Sequence, residues 1–228
     1  MAAVSSSKPE REAAMSTKNK RKAPPPALYA DVRRLLKKYD CPLPLHQIRA
    51  QFMGAIASPL DTVNPSREIQ TLWGGHAPGF ASMAAANEFM QVLVMGLWNH
   101  VARHFGSHEP FALIDITTEP TEKGIKDHAK VRFEEIQGFL EGFFQGQDSL
   151  HLSEGIADCL DVLDDLILMF GGIARLPKER QVVTLREIQD LINQLADLTD
   201  IAQKEINQII TFCAAQRRGE DEDPPRLH

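Results

Sequence analysis

The stretch Gly138-Phe139-Leu140-Glu141-Gly142-Phe143-Phe144-Gln145-Gly146 decides the fold class, because it repeats glycine every four residues. Residues four apart lie along one side of a helix, so these glycines predict a groove without side chains. An interior glycine costs about 1 kcal/mol relative to alanine, and close packing of a second helix would offset that cost. We therefore assign Gly138, Gly142 and Gly146 to helix packing inside a helical protein.

The chain on both sides of this stretch also has helical periodicity. Pro110 to Pro120 is apolar and strand-like, but no second strand is available to pair with it, so we expect an ordered loop there. The sequence predicts an all-α fold, a single helical bundle domain of about six to seven helices with a long C-terminal helix. The predicted helices cover Leu28 to Tyr39, Leu45 to Ala57, Asn64 to Trp73, Ser82 to Phe105, Thr121 through the glycine row, Ser153 to Gly171-Gly172, and the segment after Thr184.

The last helix begins with a capping box, in which Thr184 is followed three residues later by Glu187. Apolar residues then recur at alternating three- and four-residue steps over about four heptads, which is typical of a helix that packs along another helix. The neighbour could lie within the chain, in a second copy, or in both, and we favour a helical hairpin with a homodimer contact. The predicted interface consists of Leu185, Ile188, Ile192, Leu195, Ile206 and Ile209.

The charge distribution separates a basic N-terminal arm from an acidic body. The net charge is −6, yet residues 1–38 hold ten Lys and Arg against three Asp and Glu. Residues 1–26 are predicted to be a disordered basic tail, and residues 217–228 a second disordered tail. The arm leaves open a nucleic-acid-associated regulator, although no aromatic residues interleave with its basic residues and no recognition helix is evident. Nucleic acid is therefore not the partner that we expect.

Cysteine usage and hydropathy predict a cytoplasmic protein. The three cysteines are far apart and form no CxxC pair, so we expect reduced thiols and no disulfide framework. No apolar run reaches the ~18 residues that a membrane span needs, and the N-terminus lacks an apolar stretch of the signal-peptide kind. We therefore expect no membrane association.

The sequence offers few residues for chemistry. His100, His104 and His108 lie four residues apart and are the best metal-binding candidates, since a helix would place them on one face. Gly106-Ser107 interrupts the series, however, and no ExxH pair accompanies it. A helical-bundle metalloprotein thus remains an alternative, while the main prediction is no metal, no cofactor, no catalytic residue and no enzymatic activity.

The order of these motifs resembles the uncharacterised YecA/YgfB family over roughly residues 40–175. The matching segments are Pro42-Leu43-Pro44-Leu45, Gln51 to Pro59, Leu72-Trp73-Gly74-Gly75, Phe89 to Val101, Gly138 to Phe143 and Leu152 to Met169. The resemblance implies an all-α domain over 27–175, dimerisation and no established enzymatic activity; residues 176–216 would add the long helix. The chain lacks the cysteine-rich, zinc-binding tail of many relatives. We expect a protein that acts by binding other proteins, in a regulatory role, with its partner unidentified.

Overall fold

The computed structural model describes residues 26–60, 63–176 and 184–219, so the predicted tails lie almost wholly outside the described residues. Seven helices and no strand occur in this part of the chain, which confirms the all-α fold class. None of these helices is both long and apolar enough to cross a membrane. The helices are α1 (Pro26–Lys38), α2 (Leu45–Ala57), α3 (Pro65–Thr71), α4 (Met83 to Ala102), α5 (Glu122–Phe144), α6 (Glu154–Ala174) and α7 (Leu185–Arg217).

Side-chain caps fix where most of the helices begin. The Asn64 side chain accepts a hydrogen bond from a backbone nitrogen of the first turn of α3 at 2.9 Å, and Ser82 and Thr121 do the same for α4 and α5. The predicted capping box of Thr184 is present at the start of α7. Ser153 occupies the N-cap of α6, but its buried hydroxyl has no hydrogen-bond partner among the described residues.

The structure differs from the predicted helix ends at two glycine-containing segments. Helix α5 ends at Phe144 because Gln145 adopts a left-handed conformation with φ 48°, and Gly146 follows with φ 76°. Gly146 therefore belongs to the turn after the helix, where a Cβ atom would have nothing within 4 Å, and it has no role in helix packing. Helix α6, in contrast, continues through Gly171 and Gly172 and ends at Ala174.

Helices α2 and α5 pack against each other at backbone distance, and this pair is the centre of the molecule. A Cβ atom on Gly138 would lie 2.6 Å from the carbonyl oxygen of Gln47. A Cβ atom on Gly142 would lie 2.8 Å from the backbone nitrogen of Ala55 and closer still to the Gln51 carbonyl oxygen. Gly54 of α2 makes the reciprocal approach to α5. Gly138, Gly142 and Gly54 therefore lie where the backbones of the two helices approach most closely.

Helices α6 and α7 form an antiparallel hairpin beside α5. The Phe212 ring lies over Gly155, and the Cys159 thiol is 3.6 Å from the Gln208 side chain, so the start of α6 meets the end of α7. The seven helices share one hydrophobic core.

Helix α4 differs from an ordinary helix in its middle, where Gln91–Trp98 is π-helical between the α-helical segments Met83–Met90 and Asn99–Ala102. Gly96 in this segment faces a Leu28 methyl group of α1, where a Cβ atom would lie only 2.8 Å away. The wider turn of the π-helix was not predicted from the sequence. It places Leu93, Leu97 and Trp98 in the core.

Candidate functional site

The extended segment from Pro110 to Pro120 crosses the bundle as the ordered loop that the sequence predicts. With no neighbouring strand in the described residues, its buried backbone groups need side-chain partners. Asn207 of α7 supplies two, since it accepts from the Phe111 nitrogen and donates to the Phe111 oxygen, both at 2.8 Å. Gln203, one turn earlier, accepts from the Leu113 nitrogen at 3.1 Å. The polar side of α7 is therefore occupied in holding this segment.

A buried ion pair between Arg132 and Glu135 of α5 also forms hydrogen bonds with the extended segment. The Glu135 carboxylate accepts from the Ile114 nitrogen at 2.9 Å, and the Arg132 guanidinium donates to the Ile114 oxygen at 2.7 Å. Arg132 also donates to the Thr199 hydroxyl of α7 at 3.2 Å. Burial raises the pKa of Glu135, while the positive charge of Arg132 opposes that rise.

His128 completes this polar cluster. Its ring nitrogens form hydrogen bonds with the Thr118 hydroxyl at 2.5 Å and the Thr199 hydroxyl at 3.3 Å. Burial and the charge of Arg132 lower the pKa of His128 to about 4, so the ring is uncharged near neutral pH. Because the members of this cluster are hydrogen-bonded to one another and to backbone, we assign them the role of fixing the extended segment.

A cavity of about 340 Å³ opens between α1, α2 and the extended segment. Its apolar wall includes Leu36, Leu43, Leu45 and Ile114, and its polar wall includes Tyr29, Arg33, His46 and Arg49. The volume lies at the lower end of the range for small-molecule sites. His46 is paired with Glu134 of α5 at 2.8 Å.

Arg49 is the most unusual residue of this cavity, because it is a cation on the core helix α2 and only 7% exposed. Its guanidinium carbon lies 5.4 Å from the Tyr29 ring centre and 5.3 Å from that of Phe111, and it donates to the Ala112 oxygen at 3.1 Å. Its Nε has no hydrogen-bond partner in the described residues, and the buried hydroxyl of Tyr29 interacts with the Arg49 guanidinium, which is a donor and cannot accept from it. Two buried donors thus lie at the cavity without an acceptor.

The structure does not assemble the three candidate histidines into a metal site. Helix α4 ends at Ala102, before His104, whose Nδ1 instead forms a 3.1 Å hydrogen bond with the Glu109 oxygen. The rings of His100 and His104 pack edge to face at 6.1 Å. Among the residues that the structure describes, no three His, Cys, Asp or Glu side chains are placed to hold a metal ion.

The predicted interface residues of α7 separate into two groups. Leu195, Ile206 and Ile209 are at most 1% exposed in the core of their own chain, so their assignment to an interface is corrected to internal packing. The heptad positions before Leu195 are different: Leu185 is 81% exposed, and Ile188 and Ile192 are only half-buried. The first ten residues of α7 contain no buried side chain.

Exposed apolar side chains concentrate on the same hairpin. Ten large hydrophobic residues are exposed in the described chain, and seven of them lie in α6, in α7 or just after the end of α6. Exposed apolar surface in the described chain is therefore concentrated on this helical hairpin. The seven are Val162, Leu168, Met169, Leu176, Leu185, Leu191 and Ile201.

Sequence reasoning missed the residues of the cavity and of the polar cluster. One signal was available for Arg49: α2 reads LHQIRAQFMGAIA, and its only arginine or lysine lies between Ile48 and Phe52 in a run of core residues. A cation in such a position is almost never fully buried unless it is paired. The i, i+3 pair of Arg132 and Glu135 resembles an ordinary surface pair in sequence, and only the tertiary structure shows its burial.

No protein-family model, curated protein or solved structure matches this chain. The resemblance to the YecA/YgfB family therefore stays a prediction, and function must be inferred from the geometry itself.

Proposed function

We propose that this protein acts by binding another protein, and that the partner is a second copy of the chain held through the start of α7. The observation that supports the proposal is the heptad pattern itself. It continues from Leu185 to Cys213 with one polar position at Thr199, and the chain buries its first apolar member only at Leu195. The uncovered part keeps the spacing of a helix that packs along another helix.

The uncovered segment is held in helical form before any partner arrives. The capping box joins Thr184 and Glu187 by reciprocal hydrogen bonds of 3.3 and 2.7 Å. The helix then runs without interruption into the part that is anchored against α5 and α6. Because this apolar segment is already ordered, binding of a partner costs little conformational entropy.

Charge favours a second copy over a strongly charged partner. In a helical pair, the residues beside the apolar seam lie close to their counterparts, and like charges there would repel in a symmetric dimer. Beside this part of the seam lie Gln189, Leu191, Ala196 and Leu198, all of which are uncharged. The positions beside the seam therefore add no like-charge repulsion between identical copies.

Burial of this apolar segment supplies the free energy of association. Full burial of one exposed leucine side chain contributes about 2 kcal/mol. Leu185, with 81% of its surface exposed, gains most, and Ile188 and Ile192 gain what remains open. Leu191 of the same helix and Leu176 after the end of α6, each 36% exposed, add to the apolar surface of the hairpin.

Size-exclusion chromatography with light scattering tests the proposal. The wild-type chain should give twice its mass of 25.4 kDa. A double variant, Leu185→Asp with Leu191→Asp, should give 25.4 kDa with an unchanged helical circular dichroism spectrum, because both side chains are exposed in the single chain.

The matched control is Met83→Asp, since Met83 is 77% exposed but lies on α4. It should keep the wild-type mass. A monomeric wild-type protein would refute the homodimer, and dissociation by Met83→Asp would refute the assignment of the interface to α7.

A further inference from the structure

We propose that the cavity between α1 and α2 is a binding site for a small organic monocarboxylate. The carboxylate would lie at Arg49 and Tyr29, and the apolar part of the molecule would lie against Leu36, Leu43 and Leu45. This site is independent of the α7 surface, since neither α6 nor α7 contributes a residue to the cavity.

The first argument is that buried hydrogen-bond donors at the cavity lack an acceptor. The Nε of Arg49 is buried with no hydrogen-bond partner in the described residues, and the buried hydroxyl of Tyr29 interacts with the Arg49 guanidinium, which can donate to it but cannot accept its proton. A buried donor without an acceptor is costly, and each such group in a folded protein needs an explanation. One carboxylate has enough lone pairs to accept from a guanidinium and a hydroxyl together.

The second argument is charge. Two guanidinium groups, those of Arg49 and Arg132, interact with the single buried carboxylate of Glu135. His128 adds no charge near neutral pH, because its pKa is lowered to about 4. The two guanidinium groups therefore share this carboxylate, the carboxylate of Glu134 is held by His46, and the exposed Arg33 at the same cavity adds to the attraction for an anion.

The third argument is the character of the remaining wall. Leu36 is 7% exposed, and Leu43, Leu45 and Ile114 are half-buried around the same space. A ligand with a charge at one end and a short hydrocarbon chain at the other matches this division. Inorganic phosphate would satisfy the cationic end and leave the apolar wall uncovered, so a carboxylic acid fits the whole cavity better.

Hexanoate is a suitable probe, and hexanol is its uncharged counterpart. Titration into the full chain, followed by amide chemical shifts in ¹H–¹⁵N spectra, should show saturable changes around Tyr29, Arg49 and Ile114 with hexanoate only. Equal shifts with hexanol would show an apolar cavity without anion recognition, and no saturable shift with hexanoate at millimolar concentration would mean that no carboxylate site exists. Either result overturns the proposal.

Tyr29→Phe is the decisive variant, because it removes only the hydroxyl that would donate to the carboxylate and leaves the ring beside Arg49 in place. The loss of one hydrogen bond to a charged group should raise the dissociation constant about tenfold or more. The matched control is Tyr39→Phe, which changes the other tyrosine of the chain; its ring packs against Phe80 and Phe89 away from the cavity. It should bind hexanoate as the wild type does.

Arg49→Gln should abolish binding, with folding checked by circular dichroism because Arg49 also holds the Ala112 oxygen. If Tyr29→Phe binds hexanoate as tightly as the wild type, the assignment of the carboxylate to this wall is wrong.

Discussion

Replacing Gly142 with alanine would insert a methyl group between the backbones of α2 and α5. The new Cβ atom would lie 2.8 Å from the Ala55 nitrogen, whereas carbon contacts are comfortable at about 3.5–4.0 Å. The Gln51 carbonyl oxygen would be closer still, so the two helices would have to separate by at least about 1 Å, and a gap of about 1 Å forfeits up to half of the contact energy of the facing atoms. Helix α2 is buried along almost its whole length, from Gln47 to Ala57, so many contacts are affected.

The expected loss follows from these contacts. Overpacking of a tight core costs about 3 kcal/mol at the upper end of the usual range, and the gain in helix propensity from glycine to alanine returns about 1 kcal/mol. The net destabilisation is then about 2 kcal/mol. With a urea dependence of about 2 kcal/mol per M, the midpoint of unfolding should fall by about 1 M.

Urea unfolding followed by circular dichroism measures this shift, and Gly172→Ala is the matched control. Gly172 also lies inside a helix, but a Cβ atom there would meet nothing within 4 Å. This variant should raise stability by up to about 1 kcal/mol, since only the propensity term remains. If Gly142→Ala were as stable as the wild type, or shifted in the same direction as Gly172→Ala, the close packing of α2 on α5 would be refuted.

Three further predictions test the core and the polar cluster. His128 has a folded-state pKa of about 4, below its ordinary 6.5, so its contribution to stability is complete above pH 6.5 and is lost as the pH falls toward 4. The difference between the unfolding free energies of the wild type and His128→Gln should therefore change over that interval; a constant difference would contradict the assignment. Ile206→Asp should unfold the chain by burying an unpaired charge, and a folded variant by circular dichroism would show that Ile206 is not in the core. Burial raises the pKa of Cys213 to about 12, so a thiol reagent at pH 8 should leave Cys213 unmodified until urea is added, and rapid labelling of the native protein would contradict its burial.

Much of this architecture could be predicted because the side chains that cap a helix lie close in sequence to the helix that they cap. The capping side chains of Asn64, Ser82, Thr121 and Thr184 lie within a few residues of the groups that they bond, so the starts of four helices could be identified. The C-terminal ends of the helices were harder to predict from the sequence. Gly146 and Gly172 look alike in sequence, yet the first lies in a left-handed turn and the second inside a helix, because the tertiary contacts of each segment decide between the two conformations.

The candidate sites depend on contacts between distant parts of the chain, and sequence reasoning could not reach them. Arg132 meets Ile114 and Thr199, which are separated from it by 18 and 67 positions. The heptad pattern of α7 predicted a helix that packs along another, but not how far the chain itself would cover it. That boundary, at Leu195, is what separates the core positions from those left for a partner.

The dependence of amide hydrogen exchange on protein concentration tests whether a second copy of the chain binds the start of α7. If a second copy covers the start of α7, the amides of residues 185–194 should become more protected as concentration rises, while those of residues 202–215 stay equally protected throughout. Exchange at residues 185–194 that is the same at every concentration, under conditions where light scattering reports a dimer, would show that the copies meet elsewhere and would contradict the account.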